Sequence, residues 1–499
     1  MEYFSLLSDG FLRVMRPDLL LIMLAAIPFG LIFGLVPGLS GLTALAILLP
    51  FIYGMQPLPG LALLLSAHAV IYTGGSVSAI ILGIPGSPPN AATVLDGFPM
   101  ARQGRGGEAM GAALASSGLG GIFGVLVLVA ILPILEPIVL LFGSPETFFL
   151  ALMGVAFIAV VGEGPMQKGL IAGALGIFLA LFGYQSVTGV PRFWLGSDYL
   201  LDGFRIIPLA LGLFAIPELI ALSAKGRSVA HDSDESRITF AQVMEGVRQV
   251  FRHPLLFFKS SAIGAVVGVV PGVGGETSPF VAYAAAKQTS KHPELFGKGS
   301  IEGVIAPESS NNAKEGGALV PTLAFGIPGS TGMALLLGGF LILGLEPGPE
   351  FLKEHMDLGV GLAMVVAISN LLAAAVMILL ARYIAQITHL KGHILAPLLL
   401  AIVVLGTFAS KQNPLDVVYV FIFGALGYAL KELNYSRAAL ILGFVLTNAI
   451  ESSLHISLRS YGWSFWLRPV SLIIIALLAL GILWPVIKRR LGARKGGAS

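Results

Sequence analysis

The sequence alternates between long apolar runs and short polar or glycine-rich breaks. Apolar stretches of roughly 17 to 25 residues, the length that an α-helix needs to cross a bilayer, recur from Leu19 to Ile487. The short alternating segments that are typical of a membrane β-barrel do not occur. The pattern therefore predicts an all-α polytopic membrane protein.

The predicted helices fall into two matching sets. Each set opens with a short amphipathic helix that stops at a proline, residues 3–16 and Phe240 to His253. Each set continues with a re-entrant helical hairpin and then with a crossing that is broken by glycine and proline. The hairpin arms are Leu19 to Val36 with Leu42 to Tyr53, and Leu255 to Val270 with Pro279 to Ala286. The broken crossings are Leu61 to Leu95 and Ala306 to Leu345.

Four further crossings are predicted in each set, and a last helix, Val470 to Ile487, has no partner. In the first set they are Met110 to Leu132, Thr147 to Val161, Gly169 to Tyr184 and Ile206 to Ala224. In the second set they are Leu358 to Ala381, Ile394 to Ala409, Pro414 to Leu430 and Ala438 to Leu454.

The breaks themselves are duplicated. Gly34-Leu-Val-Pro-Gly-Leu-Ser-Gly41 returns as Gly268-Val-Val-Pro-Gly-Val-Gly-Gly275, and Gly83-Ile-Pro-Gly-Ser87 returns as Gly326-Ile-Pro-Gly-Ser330. The two pairs are separated by 234 and 243 residues, so the spacing is nearly constant. This indicates an internal repeat. Because each half without its hairpin crosses the membrane an odd number of times, the second copy is predicted to be inverted.

The predicted organisation has four parts. Residues 1–224 form the first transmembrane repeat and 225–259 a cytoplasmic linker with an amphipathic helix. Residues 260–454 form the second repeat, and 455–499 the unpartnered helix and a basic cytoplasmic tail. Tyr461, Trp463 and Trp466 beside Arg468 are typical of an anchor at the membrane interface.

Composition excludes an ordinary soluble protein. Apolar residues make up 56% of the chain and charged residues 11%, whereas soluble domains carry about 25% charged residues. The chain has no cysteine, which excludes disulfides and thiolate ligands. The net charge of +3 is too small to indicate a nucleic-acid partner, and we expect none.

The distribution of charge predicts the orientation. With the N-terminus outside, the predicted cytoplasmic loops hold 21 Lys and Arg residues and the external loops hold 8, while Lys314 lies within a broken crossing. This asymmetry is what the positive-inside rule requires. The N-terminus is therefore predicted to be periplasmic and the C-terminus cytoplasmic.

The broken segments are the predicted binding site. Non-helical backbone at membrane depth is tolerated only where it is buried in protein or lines a cavity, and inverted repeats with broken helices are typical of secondary transporters. A helix that begins inside the membrane presents free N–H groups that suit a carboxylate. The predicted substrate ligands are Ser40, Thr43, Ser76, Ser78, Ser87, Asn90, Thr93, Thr277, Ser278, Ser309, Asn311, Asn312, Lys314, Ser330 and Thr331.

The unwound carbonyls and two glutamates are the predicted site of a coupling cation, Na+ or H+. The residues are Pro37, Gly38, Pro85, Gly86, Pro271, Gly272, Glu276, Glu308, Pro328 and Gly329. Four charges are predicted within the membrane: Glu276, Glu308, Lys314 and Glu315. An alternative interpretation is that the small residues only allow close helix packing and that Lys314 and Glu315 pair locally. His68 is predicted to be a packed, hydrogen-bonded histidine rather than a proton relay.

No catalytic or nucleotide-binding motif is present. The sequence contains no Gly-x-x-x-x-Gly-Lys-Ser/Thr loop, no His-Glu-x-x-His pair and no nucleophile elbow. We therefore expect a transporter driven by an ion gradient, not an enzyme and without a cofactor. Two alternatives remain open, a passive carboxylate channel and an intramembrane enzyme that uses Glu276 or Glu308 as acid or base.

Longer motifs carry a family likeness. They are Tyr72-Thr-Gly-Gly-Ser-Val-Ser-Ala-Ile-Ile-Leu-Gly-Ile-Pro-Gly-Ser87, Leu95-Asp-Gly-Phe-Pro-Met-Ala-Arg-Gln-Gly104, His292-Pro-Glu-Leu-Phe-Gly-Lys-Gly-Ser-Ile-Glu-Gly303 and Ala306-Pro-Glu-Ser-Ser-Asn-Asn-Ala-Lys-Glu-Gly-Gly-Ala-Leu-Val-Pro321. With them the chain resembles the large membrane subunit of the tripartite tricarboxylate transporters, the TctA family. The resemblance implies a bacterial inner-membrane permease that imports small carboxylates such as citrate. It also implies two partners, a small four-helix membrane subunit (TctB-like) and a periplasmic solute-binding protein (TctC-like).

Overall fold

A computed structural model describes residues 2–36, 39–139, 141–161, 165–224, 238–270, 274–387 and 392–480. In these ranges the protein is almost entirely helical, which confirms the predicted all-α class. One short antiparallel ladder pairs Gly183–Tyr184 (β1) with Pro191–Arg192 (β2). The ladder shapes the loop between two helices and contributes nothing to the core.

Eleven helices are described up to residue 224. They are α1 Glu2–Val14, α2 Pro17–Leu35, α3 Gly41–Leu48, α4 Pro57–Leu82, α5 Ala91–Met100, α6 Gly106–Val139, α7 Ser144–Val161, α8 Met166–Ala180, α9 Asp198–Leu201, α10 Ile206–Ala210 and α11 Ile216–Ala224. Two π-helical turns, Ala101–Arg105 and Leu211–Ala215, join α5 to α6 and α10 to α11.

Another eleven helices are described from residue 240 onward. They are α12 Phe240–Arg252, α13 Pro254–Val269, α14 Gly274–Thr289, α15 Glu302–Phe325, α16 Thr331–Ile342, α17 Pro349–Glu354, α18 Met356–Ile387, α19 Gly392–Lys411, α20 Pro414–Glu432, α21 Arg437–Tyr461 and α22 Pro469–Leu480. Both predicted amphipathic helices are present as α1 and α12, and a capping box of Thr239 and Gln242 starts α12.

Seven helical stretches among the described residues are long and apolar enough to cross a membrane. They are Pro17–Leu35, Pro57–Leu82, Pro88–Leu135, Ile206–Ser223, Met356–Ala381, Pro414–Glu432 and Arg437–Leu467. Shorter apolar helices lie between them. The chain is therefore a multi-pass membrane protein, as the apolar runs predict.

The two broken crossings share the same local geometry. Gly83 ends α4 with φ 68° and ψ 16°, and Gly326 ends α15 with φ 65° and ψ 24°. The following serines are extended, Ser87 at φ −151° and ψ 161° and Ser330 at φ −147° and ψ 168°. Left-handed glycine is the usual way to stop a helix and free the chain for a turn. The breaks are thus alike in structure as well as in sequence, while their opposite orientation stays a prediction.

The second broken crossing lies at the centre of the molecule. Every residue of α15 from Gly303 to Ala324 is buried, and α6, α13 and α14 pack around it. Glycines permit the close approach, since a Cβ added to Gly316 would lie 2.1 Å from the carbonyl oxygen of Gly124 in α6. Helices α2 and α18 pack on α4 in the same way. Because α6 contacts α15 and α18 contacts α4, the two halves interlock.

Polar contacts group the loops into two sets. Loops predicted outside are joined by Arg205 and Asp416 (2.7 Å) and by Arg192 and Glu451 (2.6 Å). On the predicted cytoplasmic side, Lys168 Nζ donates to the carbonyl oxygen of Leu433 (2.6 Å). Loops that the charge pattern assigns to one side are thus found together, while the identity of the two sides stays a prediction.

Several predicted bounds were wrong. The helix predicted to run to Tyr184 ends at Ala180, because Gly183 adopts φ 98° and Tyr184 joins the strand pair. The segment from Asp96 to Glu108, predicted as a loop, is helical on both sides of a turn at Gly104. The predicted helix Val470 to Ile487 is described only up to Leu480. The first Pro-Gly break, Pro37 and Gly38, lies outside the described residues.

Candidate functional site

The two broken helices turn polar faces toward each other. His68, Tyr72 and Ser76 are spaced by four residues and therefore share one face of α4. Glu308 and Glu315, seven residues apart, share one face of α15. His68 and Ser76 each contact a glutamate of that face. We call this contact region the polar seam.

At one end of the polar seam, hydroxyl groups surround a buried carboxylate. Glu308 is fully buried. Its Oε2 accepts hydrogen bonds from Ser76 Oγ and Ser117 Oγ, each at 2.7 Å, and its Oε1 accepts one from Thr93 Oγ1. Glu308 lies on α15, and its three hydroxyl partners lie on α4, α5 and α6. This Glu308 cluster therefore forms only when the two halves of the chain are packed together. Among the described residues, Glu308 makes no ion pair within 4 Å.

The turn between α4 and α5 supports the Glu308 cluster. Asn90 Nδ2 donates to the carbonyl oxygen of Tyr72 (2.9 Å) and to Ser76 Oγ (3.0 Å). Ser87 Oγ donates to Asn90 Oδ1 at 2.5 Å. Two predicted ligands, Ser87 and Asn90, therefore hold Ser76 in place and add oxygen atoms beside it.

The other end of the polar seam carries a buried cation. Lys314 Nζ lies 3.8 Å from Glu315 Oε1 and 3.8 Å from the centre of the Tyr72 ring. Glu315 Oε2 lies 2.9 Å from His68 Nε2. All four side chains are buried. The local Lys314–Glu315 pair and the packed histidine, both considered from the sequence, are present together in this Lys314 cluster.

Further predicted ligands lie on α14, α15 and α16. Thr331 Oγ1, at the start of α16, donates to Glu276 Oε1 of α14 at 3.3 Å. Ser278 and Asn311 are buried, and their side-chain polar atoms have no hydrogen-bond partner among the described residues. Buried polar groups are normally paired. The Ser278 hydroxyl and the Asn311 amide are therefore available to a bound ligand.

Asn312 takes part in a neighbouring amide contact. Its Nδ2 donates to Thr73 Oγ1 (3.0 Å) and to Asn370 Oδ1 (2.5 Å). The contact joins α4, α15 and α18. Asn312 thus connects both broken helices to a helix that flanks them.

The first hairpin forms a separate polar cluster. Ser40 N donates to Glu218 Oε2 at 2.9 Å, and Thr43 Oγ1 donates to the same oxygen. Ser40 also caps α3 by accepting from Thr43 N. The N-terminus of α3 thus binds a carboxylate, as predicted, but this carboxylate belongs to α11 of the same chain. Among the described residues, Ser40 and Thr43 hydrogen-bond to each other, to Glu218 and to the carbonyl oxygen of Phe214, and not to the polar seam.

Other predicted residues have local roles or lie apart. Ser78 donates to the carbonyl oxygen of Gly75 and Ser309 to that of Ile305, each within its own helix. Ser330 caps α16 by accepting from Met333 N. Of the break residues, Gly86, Pro328 and Gly329 are buried and Pro85 is exposed, while Pro37, Gly38, Pro271 and Gly272 lie outside the described ranges.

Sequence reasoning missed several residues of these clusters. They are Tyr72, Thr73, Ser117, Glu218 and Asn370. Glu218, which is 5% exposed within an apolar helical stretch long enough to cross a membrane, is a further buried acid that the prediction did not name. An acid in an apolar run is a signal that the sequence contains. Ser117 and Asn370 gave no comparable signal, since single polar residues are common in helices that pack against others.

Two other buried carboxylates anchor loops that the charge pattern predicts to lie outside. Asp416 accepts from Tyr199 Oη at 2.5 Å and from Arg205 at 2.7 Å, and burial together with this hydrogen bond raises the pKa of Tyr199 well above its ordinary value. Glu146 accepts from Arg468 Nε and Ser471 Oγ, each at 2.8 Å. Because arginine neutralises both acids, these anchors are structural, unlike the Glu308 cluster.

The chemistry of the polar seam suits small ions. Among the described residues, no group of three His, Cys, Asp or Glu side chains comes together as for a transition metal. The Glu308 cluster instead offers a carboxylate, hydroxyls and an amide oxygen, which are ligands for a hard cation. The Lys314 cluster offers a positive charge in a site where few waters compete for it. A cation and an anion can therefore bind at neighbouring points of the same seam.

Comparison with known proteins gives one family. The model of the tripartite tricarboxylate transporter TctA family matches residues 20–442. An uncharacterized 52.8 kDa protein in the TAR-I ttuC' 3'region of Agrobacterium vitis is 31% identical over 496 residues, 98% of this chain and 96% of that protein. An uncharacterized protein in the TAR-II ttuC' 3'region of the same organism is 35% identical over 38% of this chain and 79% of its own length. No solved structure matches.

Proposed function

Because the chain belongs to the tripartite tricarboxylate transporter TctA family, we propose that it is the permease subunit of a secondary importer of small carboxylates, driven by an ion gradient. The observation that carries the proposal is the polar seam. Two broken helices from different halves meet along a seam that holds a buried, hydroxyl-bound glutamate at one end and a buried lysine at the other. Alternating access at the interface of the repeats would expose this seam to each side in turn.

The substrate carboxylate is proposed to bind at the Lys314 end. A compact ammonium attracts a carboxylate strongly where water is excluded. The Asn311 amide, which lies three residues before Lys314 on α15 and has no partner among the described residues, is proposed to supply a further hydrogen bond beside it. The positive end of α16, which begins at Thr331, adds a favourable dipole. Recognition would thus combine one charge with several neutral donors.

The coupling cation is proposed to bind at Glu308. A fully buried carboxylate without a positive partner is costly, and the hydroxyl groups of Ser76, Thr93 and Ser117 can rotate to coordinate Na+ or to accept a hydrogen bond from a protonated Glu308. Binding of the anionic substrate would be favourable only together with the cation, since the seam already holds Glu276, Glu308 and Glu315 against one lysine. This requirement is the proposed basis of coupling.

Uptake into vesicles reconstituted with this chain and both of its proposed partners tests the proposal. Sodium and proton gradients are imposed separately, and accumulation of labelled carboxylate above equilibrium is expected with one of them. Glu308→Gln keeps the shape of the side chain and removes its charge, so we expect gradient-driven accumulation to fall about 100-fold or more, the loss expected for a buried charged contact worth about 3 kcal/mol. Glu350→Gln, at an exposed position of α17, serves as the matched control. Uptake that ignores both gradients, or that never exceeds equilibrium, contradicts the proposal.

The proposed partners and location follow from the family. We propose a small four-helix membrane subunit and a periplasmic solute-binding protein as partners, and the bacterial inner membrane as the location. Vesicles that contain this chain alone should import little, and addition of both partners should restore uptake. Full uptake by the chain alone would contradict dependence on a binding protein.

A further inference from the structure

Asp96 makes the most extensive hydrogen-bonded link between the halves that the described residues contain outside the polar seam. It lies near the end of α5 and is fully buried. Its Oδ1 accepts hydrogen bonds from the backbone N–H groups of Gly297 (2.9 Å), Gly299 (2.8 Å) and Ser300 (2.8 Å). Its Oδ2 accepts from Tyr283 Oη of α14 at 2.8 Å. One carboxylate thus fixes α5, α14 and the loop that leads into α15.

The loop has a conformation that fits this carboxylate. Gly297 and Gly299 adopt φ 83° and 104°, which side chains other than glycine rarely tolerate. The carbonyl oxygens point the other way, where Gln103 Nε2 donates to Lys298 O (2.8 Å) and Arg105 donates to Gly299 O (3.3 Å). We call residues 297–300 the gate loop.

The elements that Asp96 holds are also those that enclose the site. Thr93, which donates to Glu308, lies three residues before Asp96 on α5. Helix α14 carries Glu276 and the buried Ser278, and it packs against α15 and against the turn at Asn90. Movement of α14 and the gate loop away from α5 would therefore open the polar seam toward the side on which the gate loop lies.

The chemistry of the contact allows it to open and close. Asp96 is bound by backbone amides and a phenol and, among the described residues, by no arginine or lysine within 4 Å. Water can replace neutral donors of this kind when the contact opens, because a carboxylate and free N–H groups are both well hydrated. The outer anchors Glu146 and Asp416 are instead each bound by arginine. The Asp96 carboxylate thus lacks the arginine partner that these two carboxylates have.

We propose that Asp96 is the latch of a gate formed by α14 and the gate loop, on the side that carries the predicted cytoplasmic loops. The latch is closed in this structure, and it must open in each cycle to release the substrate. The proposal rests on the proposed transport function, to which it adds the moving part and the contact that controls it.

A reversible crosslink across the gate tests the proposal. The chain has no cysteine, so Gln103→Cys with Lys298→Cys introduces a single thiol pair at two exposed positions in contact. A short bifunctional thiol reagent with a cleavable disulfide should lower uptake at least about tenfold, and reductant should restore it. The two single-cysteine variants, treated alike, should keep their uptake. Crosslinked protein that transports at the rate of the uncrosslinked variant would show that the gate loop is a static support.

A second measurement does not depend on transport. Ser278→Cys places a thiol at a buried position of α14. The rate at which this thiol reacts with a polar maleimide measures opening of the gate. With Asp96→Asn added, the side chain loses its negative charge and its Nδ2 cannot accept the hydrogen bond from Tyr283 Oη, so the rate should rise about tenfold or more for the loss of at least one hydrogen bond. Asp416→Asn, which removes a buried carboxylate on the opposite side, should leave the rate unchanged. An unchanged rate in the Asp96→Asn variant overturns the latch. If the uncrosslinked protein takes up no substrate while the maleimide rates change as expected, the result contradicts the transport function and not the latch.

Discussion

At the scale of single residues, the cost of burying charge explains the arrangement of the polar seam. Lys314 is fully buried, and its carboxylate neighbour Glu315 lies at 3.8 Å, longer than a direct hydrogen bond. The face of the Tyr72 ring stabilises the ammonium as a cation–π partner. Glu315 is shared with His68. A buried ammonium attracts a further carboxylate strongly where little water is present, which favours Lys314 as the substrate contact.

Replacement of Lys314 tests this role. Lys314→Met keeps an unbranched side chain of similar length and removes the charge, so we expect substrate binding to weaken by about 100-fold, as for loss of one partner of a buried charge pair. Binding of labelled carboxylate to the purified protein measures the effect. Lys353→Met, at an exposed position of α17, should bind as the parent does. An unchanged affinity in Lys314→Met would exclude direct contact between Lys314 and the substrate.

At the scale of elements, the breaks determine where the polar groups gather. Gly83 and Gly326 end their helices in the same left-handed conformation. After the breaks, α5 brings Thr93 to Glu308 and α16 brings Thr331 to Glu276. A continuous helix would carry these side chains past the seam. The breaks are therefore required for the site, and their stability depends on glycine.

Alanine substitutions at glycines with a positive φ distinguish the cost of backbone strain from the cost of steric crowding. A Cβ at Gly326 would lie 2.5 Å from the carbonyl oxygen of Pro347, and one at Gly83 would lie 3.0 Å from the Phe98 ring. Gly344 has φ 75° with nothing within 4 Å. We expect Gly344→Ala to cost about 1 kcal/mol, the strain alone, and Gly326→Ala to cost more. Thermal unfolding in detergent measures the order. Equal losses at the two sites would contradict the crowding at Gly326.

At the scale of the whole molecule, the helices of the two halves pack into one body. Helix α6 contacts α15 and α18 contacts α4, so each broken helix is enclosed by helices of both halves. Polar contacts join loops that are predicted to lie on the same side of the membrane. This packing shields buried charges from lipid, which is the usual condition for charged residues within a membrane.

Thiol labelling from the two sides tests the orientation. Because the chain lacks cysteine, Val190→Cys near β2 and Lys298→Cys in the gate loop each give one exposed thiol. An impermeant reagent should label residue 190 in intact cells and residue 298 only in inverted vesicles. Arg248→Cys on α12 should behave as residue 298 does. Labelling of positions 190 and 298 from the same side would refute the predicted topology.

The sequence predicted some features of this protein correctly and missed others, because the properties involved act over different distances along the chain. Run length and the Gly-Pro breaks are local, so the sequence by itself determined the all-α membrane class, the two broken crossings and most helix positions within a few residues. The meeting of Glu308 with Ser117, or of Asp96 with the gate loop, joins segments about 200 residues apart in sequence. Such pairings depend on how helices pack, and only the tertiary structure decided them.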